Sequence, residues 1–270
     1  MYKTFYGMEH TPFVRDIPPG RLYESPAMAD TIGRLSYVAD RQLFAVVTAD
    51  AGCGKSTLVR RFVSALPKEE YIFLYLSDSK LTPRWFYKGM LDQLGIESRF
   101  YRGDAKRQLQ REVEILRGVQ GKKVVCILDE AHLLEKETIE EFRFLLNYRF
   151  DSMSPMALVL VGQTELWDKL RLQRYAAVRQ RIDINCVLPH LDRAETERYI
   201  WSHLDYAGGA TEVFTDRALD EVYRESTGIP RSINRICNSS LMYASQQSKR
   251  LVDEHLVRFV LEHEMLGGDI

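Results

Sequence analysis

One run of residues carries the densest chemistry in the chain: Ala49-Asp50-Ala51-Gly52-Cys53-Gly54-Lys55-Ser56. Glycines ahead of a Lys-Ser pair let a tight turn aim its backbone N–H groups at an anion, and a helix opening there adds its positive dipole end. In such a turn Lys55 reaches the β- and γ-phosphates of a nucleotide and the Ser56 hydroxyl ligates Mg²⁺, so ATP and Mg²⁺ are the expected cofactors. Gly52, Cys53, Gly54, Lys55, Ser56 and Thr57 form the phosphate side of that site. Ala49 stands where the pattern G-x-x-x-x-G-K-[ST] has glycine; alanine, the smallest substitute, serves there if its φ is negative.

A second strip adds carboxylates. The apolar run Val124–Leu128 ends in Asp129-Glu130-Ala131-His132. A carboxylate at the tip of a buried strand can enter a metal's shell and the next can take a proton from an attacking water. Asp129 is the expected metal-shell residue and Glu130 the catalytic base. The competing reading, two carboxylates that favour a helix start, is compatible with both roles. Asp-Glu-Ala-His also occurs in a helicase class, but 270 residues with one phosphate turn do not supply two motor domains.

These groups need a scaffold. Leu43–Val47, Tyr71–Leu76, Val124–Leu128, Ala157–Val161 and Ile182–Val187 are apolar enough for strands buried on both faces. Between them, Asp30–Asp40, Lys55–Leu66, Pro83–Leu94, Ala105–Val119 and Lys136–Phe150 have helical periodicity, the last with Ile139, Phe142 and Leu146 on one face. Alternation of this kind predicts a parallel sheet covered by helices on both faces. Beyond residue 190 the pattern becomes helical throughout, over Ala194–Asp205, Asp216–Glu225, Ser232–Gln247 and Asp253–Glu262, with Thr215 and Asp253 as N-caps. The predicted divisions are an N-terminal segment 1–26, an α/β domain 27–190 and a helical lid 191–266.

A P-loop α/β domain followed by a small helical lid is the AAA+ layout, and its remaining parts can be sought by position. Gln163, at a strand tip, is placed to bond the γ-phosphate or the water. Arg231, in Gly228-Ile229-Pro230-Arg231, opens a lid helix where a cation is disfavoured by the dipole, which argues for a role in sensing nucleotide. Among the arginines of 171–181, Arg181 and then Arg179 are candidates to complete a neighbouring subunit's site. A basic face exposed to solvent or DNA is the plain alternative for each.

Composition narrows the partners. A net charge of −1 carries no global field for nucleic acid, so a DNA contact needs a local patch. Four scattered cysteines offer no paired spacing for disulfides or zinc and fit a reducing cytoplasm. No 18-residue apolar stretch and no leader pattern are present, so no membrane partner is expected.

Almost end to end, the chain resembles the general secretion pathway protein A (ExeA-like) family of AAA+ ATPases. The likeness is carried by Phe5-Tyr-Gly-Met8, Pro12-Phe13, Leu22-Tyr-Glu-Ser25, Val161-Gly-Gln-Thr-Glu-Leu166, Gln180-Arg-Ile182, Leu188-Pro-His-Leu191, Tyr199-Ile200, Ala207-Gly208 and Gly228-Ile-Pro-Arg231. It implies an N-terminal segment closing over the adenine, with Pro12, Phe13 and Tyr23 as candidates. The secretion member, as the resemblance implies, has membrane and cell-wall-binding portions after its ATPase domain. Stand-alone forms of this length resemble the accessory ATPases of bacterial transposons, the TnsC/MuB type. That likeness implies a homo-oligomer, ring or filament, which holds double-stranded DNA without reading sequence and recruits a transposase. Local support comes from Lys80, Arg84, Lys88, Arg99, Arg102, Lys106 and Arg107, which could track phosphates. A secretion ATPase or an ATP-gated signalling switch, each with protein partners only, are the alternatives.

Overall fold

The structure, a computed structural model, describes residues 2–78, 81–145, 154–208 and 212–263. In chain order its elements are α1 (Tyr2–Phe5), α2 (Pro26–Arg41), β1 (Phe44–Thr48), α3 (Lys55–Ala65), β2 (Tyr71–Leu76), α4 (Pro83–Gln93), α5 (Arg102–Gly118) and β3 (Lys123–Leu128). There follow α6 (Lys136–Leu145), β4 (Ala157–Gly162), α7 (Glu165–Arg171), α8 (Ala176–Arg179), β5 (Ile184–Val187), α9 (Arg193–Ala207), α10 (Asp216–Ser226), α11 (Pro230–Gln246) and α12 (Glu254–His263).

The strands form one parallel sheet in the order β2-β3-β4-β1-β5. Every residue of β1 and β4 is buried. Side chains alternate between the faces of a strand, so complete burial requires cover on both. The register pairs Thr48 with Gly162 and Leu128 with Leu160, which brings the carboxyl ends of β1, β4 and β3 to one edge.

The chain divides into two compact units. The sheet unit comprises Met28–Ala51 and Leu58–Leu188; the helical unit comprises Met1–Ala27, Gly52–Thr57 and Pro189–Ile270. Each has its own core. In the first, Phe44, Leu74, Val124 and Leu158 meet Phe86, Met90, Leu109 and Phe142; in the second, Ile200, Leu204, Val222, Ile236, Leu241 and Val257 pack with Met8 and Phe13. Each such burial contributes about 1.5–3 kcal/mol.

Local chemistry sets the helix starts. The Thr82 hydroxyl caps α4, whose first residue is Pro83. Asp192 and Glu195 form a capping box on α9, Thr215 caps α10, and Asp253 Oδ1 accepts the Leu256 N–H at the head of α12. Thr215 and Asp253 were both legible as caps. Several boundaries differ from expectation. α2 begins at Pro26, not Asp30, since proline fits a first turn. α5 begins at Arg102, with Tyr101 as its N-cap. β5 starts at Ile184, because the preceding turn uses Arg181 N–H to Val178 O and Ile182 N–H to Arg179 O. Lys80, Leu146 and the end of the expected Lys136–Phe150 helix lie outside the described residues.

Candidate active site

β1 delivers the chain to the phosphate turn. Gly52 and Gly54 have φ of +87° and +91°, values that glycine adopts freely. Ala49 is not among the positive-φ residues; it is buried and its N–H donates to Gly162 O at 3.2 Å, so alanine meets the turn's requirement. Lys55, the first residue of α3, and Cys53 are both buried. Ser56 is exposed and Thr57 half-buried on the first turn of the same helix.

Within the helical unit this turn meets the head of α11. Arg231 N–H donates to Gly52 O at 3.3 Å, and a Cβ on Gly52 would stand 2.9 Å from Arg231 Cβ. The side chain of Arg231 is exposed. Gly228, with φ of +77°, lets the approach to α11 pass Leu191, whose carbonyl oxygen lies 1.9 Å from where a Cβ would be.

The N-terminal segment is also part of the helical unit. Glu9 and His10 donate their N–H groups to Ala207 O, and Phe13, at φ of +58°, stacks on His203 at 5.1 Å. The Phe13 N–H donates to His203 Nδ1 at 3.1 Å. Burial depresses the His203 pKa to about 4, so the ring is a neutral acceptor. Pro12 is buried, and Tyr23 packs edge-on to Tyr199.

The sheet unit holds the acidic residues. Asp129 is buried at the end of β3; its Oδ2 accepts from the Tyr75 hydroxyl at 2.7 Å and its Oδ1 from Glu130 N–H at 2.8 Å. Burial, and then this bond to Asp129, raises the Tyr75 pKa, so the phenol stays a donor. Glu130 sits at φ of +52°, an uncommon left-handed conformation for a non-glycine residue. Its carboxylate is 44% exposed and lies 3.5 Å from His132 Nδ1. At the tip of β4, Gln163 lies 3.1 Å from His132 Nε2 through its amide nitrogen, while its main-chain N–H faces Nδ1 at 3.4 Å. The Thr164 hydroxyl donates to Asp50 at 3.1 Å. A hard oxygen donor such as Asp129, held in place at the carboxyl end of β3, fits a Mg²⁺ shell completed by phosphate and water. The exposed Ser56 hydroxyl at a helix start is of the same donor class.

The arginine candidates separate. The Arg179 guanidinium donates to Leu170 O and Arg171 O, closing the end of α7, whereas half-buried Arg181 lies in the turn after α8. The basic candidates separate too. Arg102 and Lys106 pair with Glu141, which is buried and also accepts from the Tyr87 hydroxyl. Arg107 pairs with Asp104, and Lys88 lies 4.0 Å from Asp92. Arg84 instead lies over the exposed ring of Phe100 at 4.2 Å, and Lys88 over Trp85 at 4.8 Å. Trp85, Phe100 and Tyr101 are all exposed. Sequence reading missed these three rings, together with Tyr75 and His132. The aromatic-basic interleaving was a readable signal; the Tyr75 and His132 contacts depend on strand register and were not.

Residues 38–170 match the model of the AAA domain family. General secretion pathway protein A of Aeromonas hydrophila is 32% identical over 275 aligned residues, which take in 100% of this chain and 47% of that protein. The chain thus spans about half of that relative's length. Among solved structures, Cdc6p of Pyrobaculum aerophilum superposes with a TM-score of 0.72 at 16% identity, covering 95% of this chain and 71% of that one. The ORC2 protein of Aeropyrum pernix, in ADPNP-ADP complexes, gives 0.64 at 16%, covering 96% and 71%. The ORC1 protein of Aeropyrum pernix in complex with DNA gives 0.66 at 13%, covering 92% and 68%.

Proposed function

We propose, from the premise that the chain carries an AAA+ ATPase domain, that it is an ATP-dependent, oligomeric DNA-binding ATPase acting in the cytoplasm. The observation that carries the ATPase part is that one chain holds both a two-glycine turn opening a helix at Lys55 and a buried strand, β3, that ends in Asp129 and Glu130. In this reading Lys55 and the turn's N–H groups hold the phosphates, and Ser56 and Asp129 supply oxygens to Mg²⁺, which neutralises charge on the transferred group. Glu130 takes the proton of the attacking water. Gln163 and Arg231 report the γ-phosphate, Arg181 serves the neighbouring subunit, and Pro12, Phe13 and Tyr23 flank the adenine.

The DNA part rests on the surface of α4 and the α4–α5 connection. Arg84 and Arg99 have no carboxylate partner among the described residues, and they stand with exposed Trp85, Phe100 and Tyr101. Cations interleaved with exposed rings suit a polyanion with aromatic bases. Arg102 and Lys106, held by buried Glu141, act mainly in the fold. The finer reading is target capture for a transposase, the role that the resemblance to transposon accessory ATPases implies. A secretion role is the second reading, favoured by the 32% identity to general secretion pathway protein A.

Binding of a random-sequence duplex with ATP analogue, with ADP and with neither, across a salt series, separates the two. ATP-dependent binding is expected to fall by about 10³–10⁵ between 50 and 200 mM salt if six to ten phosphates are contacted. Absence of binding in every nucleotide state would remove the DNA reading and leave a protein partner.

A further inference from the structure

His132 is fixed more firmly than a surface histidine needs to be. Its side chain is only 12% exposed, and Lys169 Nζ donates to the carbonyls of His132 and Leu134 at 2.7 and 2.9 Å, locking the turn that carries it. Gly162 makes room for that turn: a Cβ there would stand 3.1 Å from His132 N and 2.9 Å from Leu166 Cδ2. The ring so held lies within 3.5 Å of Glu130 on one side and 3.1 Å of Gln163 on the other.

Neutral imidazole has one donor and one acceptor, so these neighbours cannot all be satisfied at once. With Nδ1 bare, the ring accepts the Gln163 main-chain N–H, its protonated Nε2 needs an oxygen opposite, and the Gln163 amide must turn its Oε1 inward. With Nδ1 protonated, the ring donates to Glu130 and its bare Nε2 accepts from the Gln163 amide nitrogen that faces it. The proton lost at one nitrogen is regained at the other by exchange with water.

We propose that His132 is a positioning residue that couples the catalytic base to the γ-phosphate sensor. The Nδ1-protonated tautomer holds one carboxylate oxygen of Glu130, leaves the other for the attacking water, and fixes which face Gln163 presents. The other tautomer releases Glu130 and reverses the amide. The inference rests on the roles given above to Glu130 and Gln163.

The test is steady-state ATPase kinetics with separate measurement of nucleotide affinity. For His132→Ala, kcat is expected to fall about tenfold to a hundredfold, as for partners that orient a reacting group elsewhere, with KM and nucleotide affinity unchanged. His132→Asn restores an N–H near the Nδ1 position and His132→Gln an amide near Nε2. Each is expected to recover part of kcat, and both keep the proposal testable if the alanine variant folds poorly. In a Glu130→Gln background, His132→Ala is expected to cost nothing further. Wild-type kcat in all three His132 variants, alongside a dead Glu130→Gln enzyme, would overturn this inference alone. Wild-type turnover by Glu130→Gln would remove the base assignment, and this inference with it.

Discussion

The end of β3 and the approach to α11 present two of the charges assigned to the reaction, Glu130 and Arg231, and the protein holds them by opposite means. Both follow left-handed backbone: Glu130 itself at φ of +52°, and Thr227 and Gly228 at +49° and +77°. Glu130 is then steered by side chains, with His132 on its carboxylate and, on the neighbouring Asp129, Tyr75. Arg231 is steered by backbone, through its N–H to Gly52 O, Pro230 at the helix start and the missing Cβ of Gly228. Side chains at the sheet edge can therefore be replaced at the expense of chemistry alone. At α11 a single methyl group should disturb the fold.

The largest effect should come from the sheet side. Glu130→Gln keeps the size and the exposed position of the side chain but cannot take a proton. Turnover is expected to drop by about 10²–10⁴, the range for a general base, with nucleotide affinity and melting temperature unchanged. Single-turnover hydrolysis and an equilibrium nucleotide titration check the two halves. A loss of affinity equal to the loss of rate would mean Glu130 acts in binding, and the contrast with Arg231 would dissolve.

How much of this was legible follows from the range of each interaction. The phosphate turn and the Asp129-Glu130 pair are local in sequence, so composition and spacing exposed them, and even the Ala49 substitution was correctly judged permissible from φ. Caps such as Thr215 and Asp253 are local as well. The Glu130–His132–Gln163 cluster joins residues 31 apart through the β3–β4 pairing, which periodicity does not specify. Nor does spacing reveal that Phe13 stacks on His203, 190 residues away. Sequence groups Arg99, Arg102, Lys106 and Arg107 as candidates to track phosphates, yet buried Glu141 claims two of them.

A methyl group at the other region comes next. Gly228→Ala would place Cβ 1.9 Å from Leu191 O on a backbone at φ of +77°. Neither the carbonyl nor the turn can yield cheaply, and a loss of about 3 kcal/mol or more is expected, in the range reserved for backbone strain and overpacking. Trp201, on α9 of the helical unit, gives a fluorescence report of that unit's melting. Because the Leu191 N–H donates to Gly228 O, the same change should loosen Arg231 from Gly52 and weaken nucleotide binding. Full stability with normal binding would show that backbone does not hold this arginine.

His203 limits how far the contrast extends, because within the helical unit one side chain does hold backbone. Its Nδ1 accepts the Phe13 N–H, and Phe13 is itself in a left-handed conformation that needs such support. Burial lowers the folded-state pKa to about 4 from 6.5. A depressed histidine favours the fold while neutral, so its contribution is complete above about pH 6.5 and declines as pH falls towards 4, with no further loss from this group below that. At 1.36 kcal/mol per pKa unit the whole step is worth at most about 3 kcal/mol, and partial opening of the N-terminal segment would reduce it. Hydrogen exchange at Phe13 and its neighbours should therefore accelerate between pH 6.5 and 4, after correction for intrinsic rates. His203→Asn, which does not titrate, should abolish that pH dependence. An unchanged profile in the variant would mean that the packing of Met8 and Phe13, rather than the imidazole, anchors the segment.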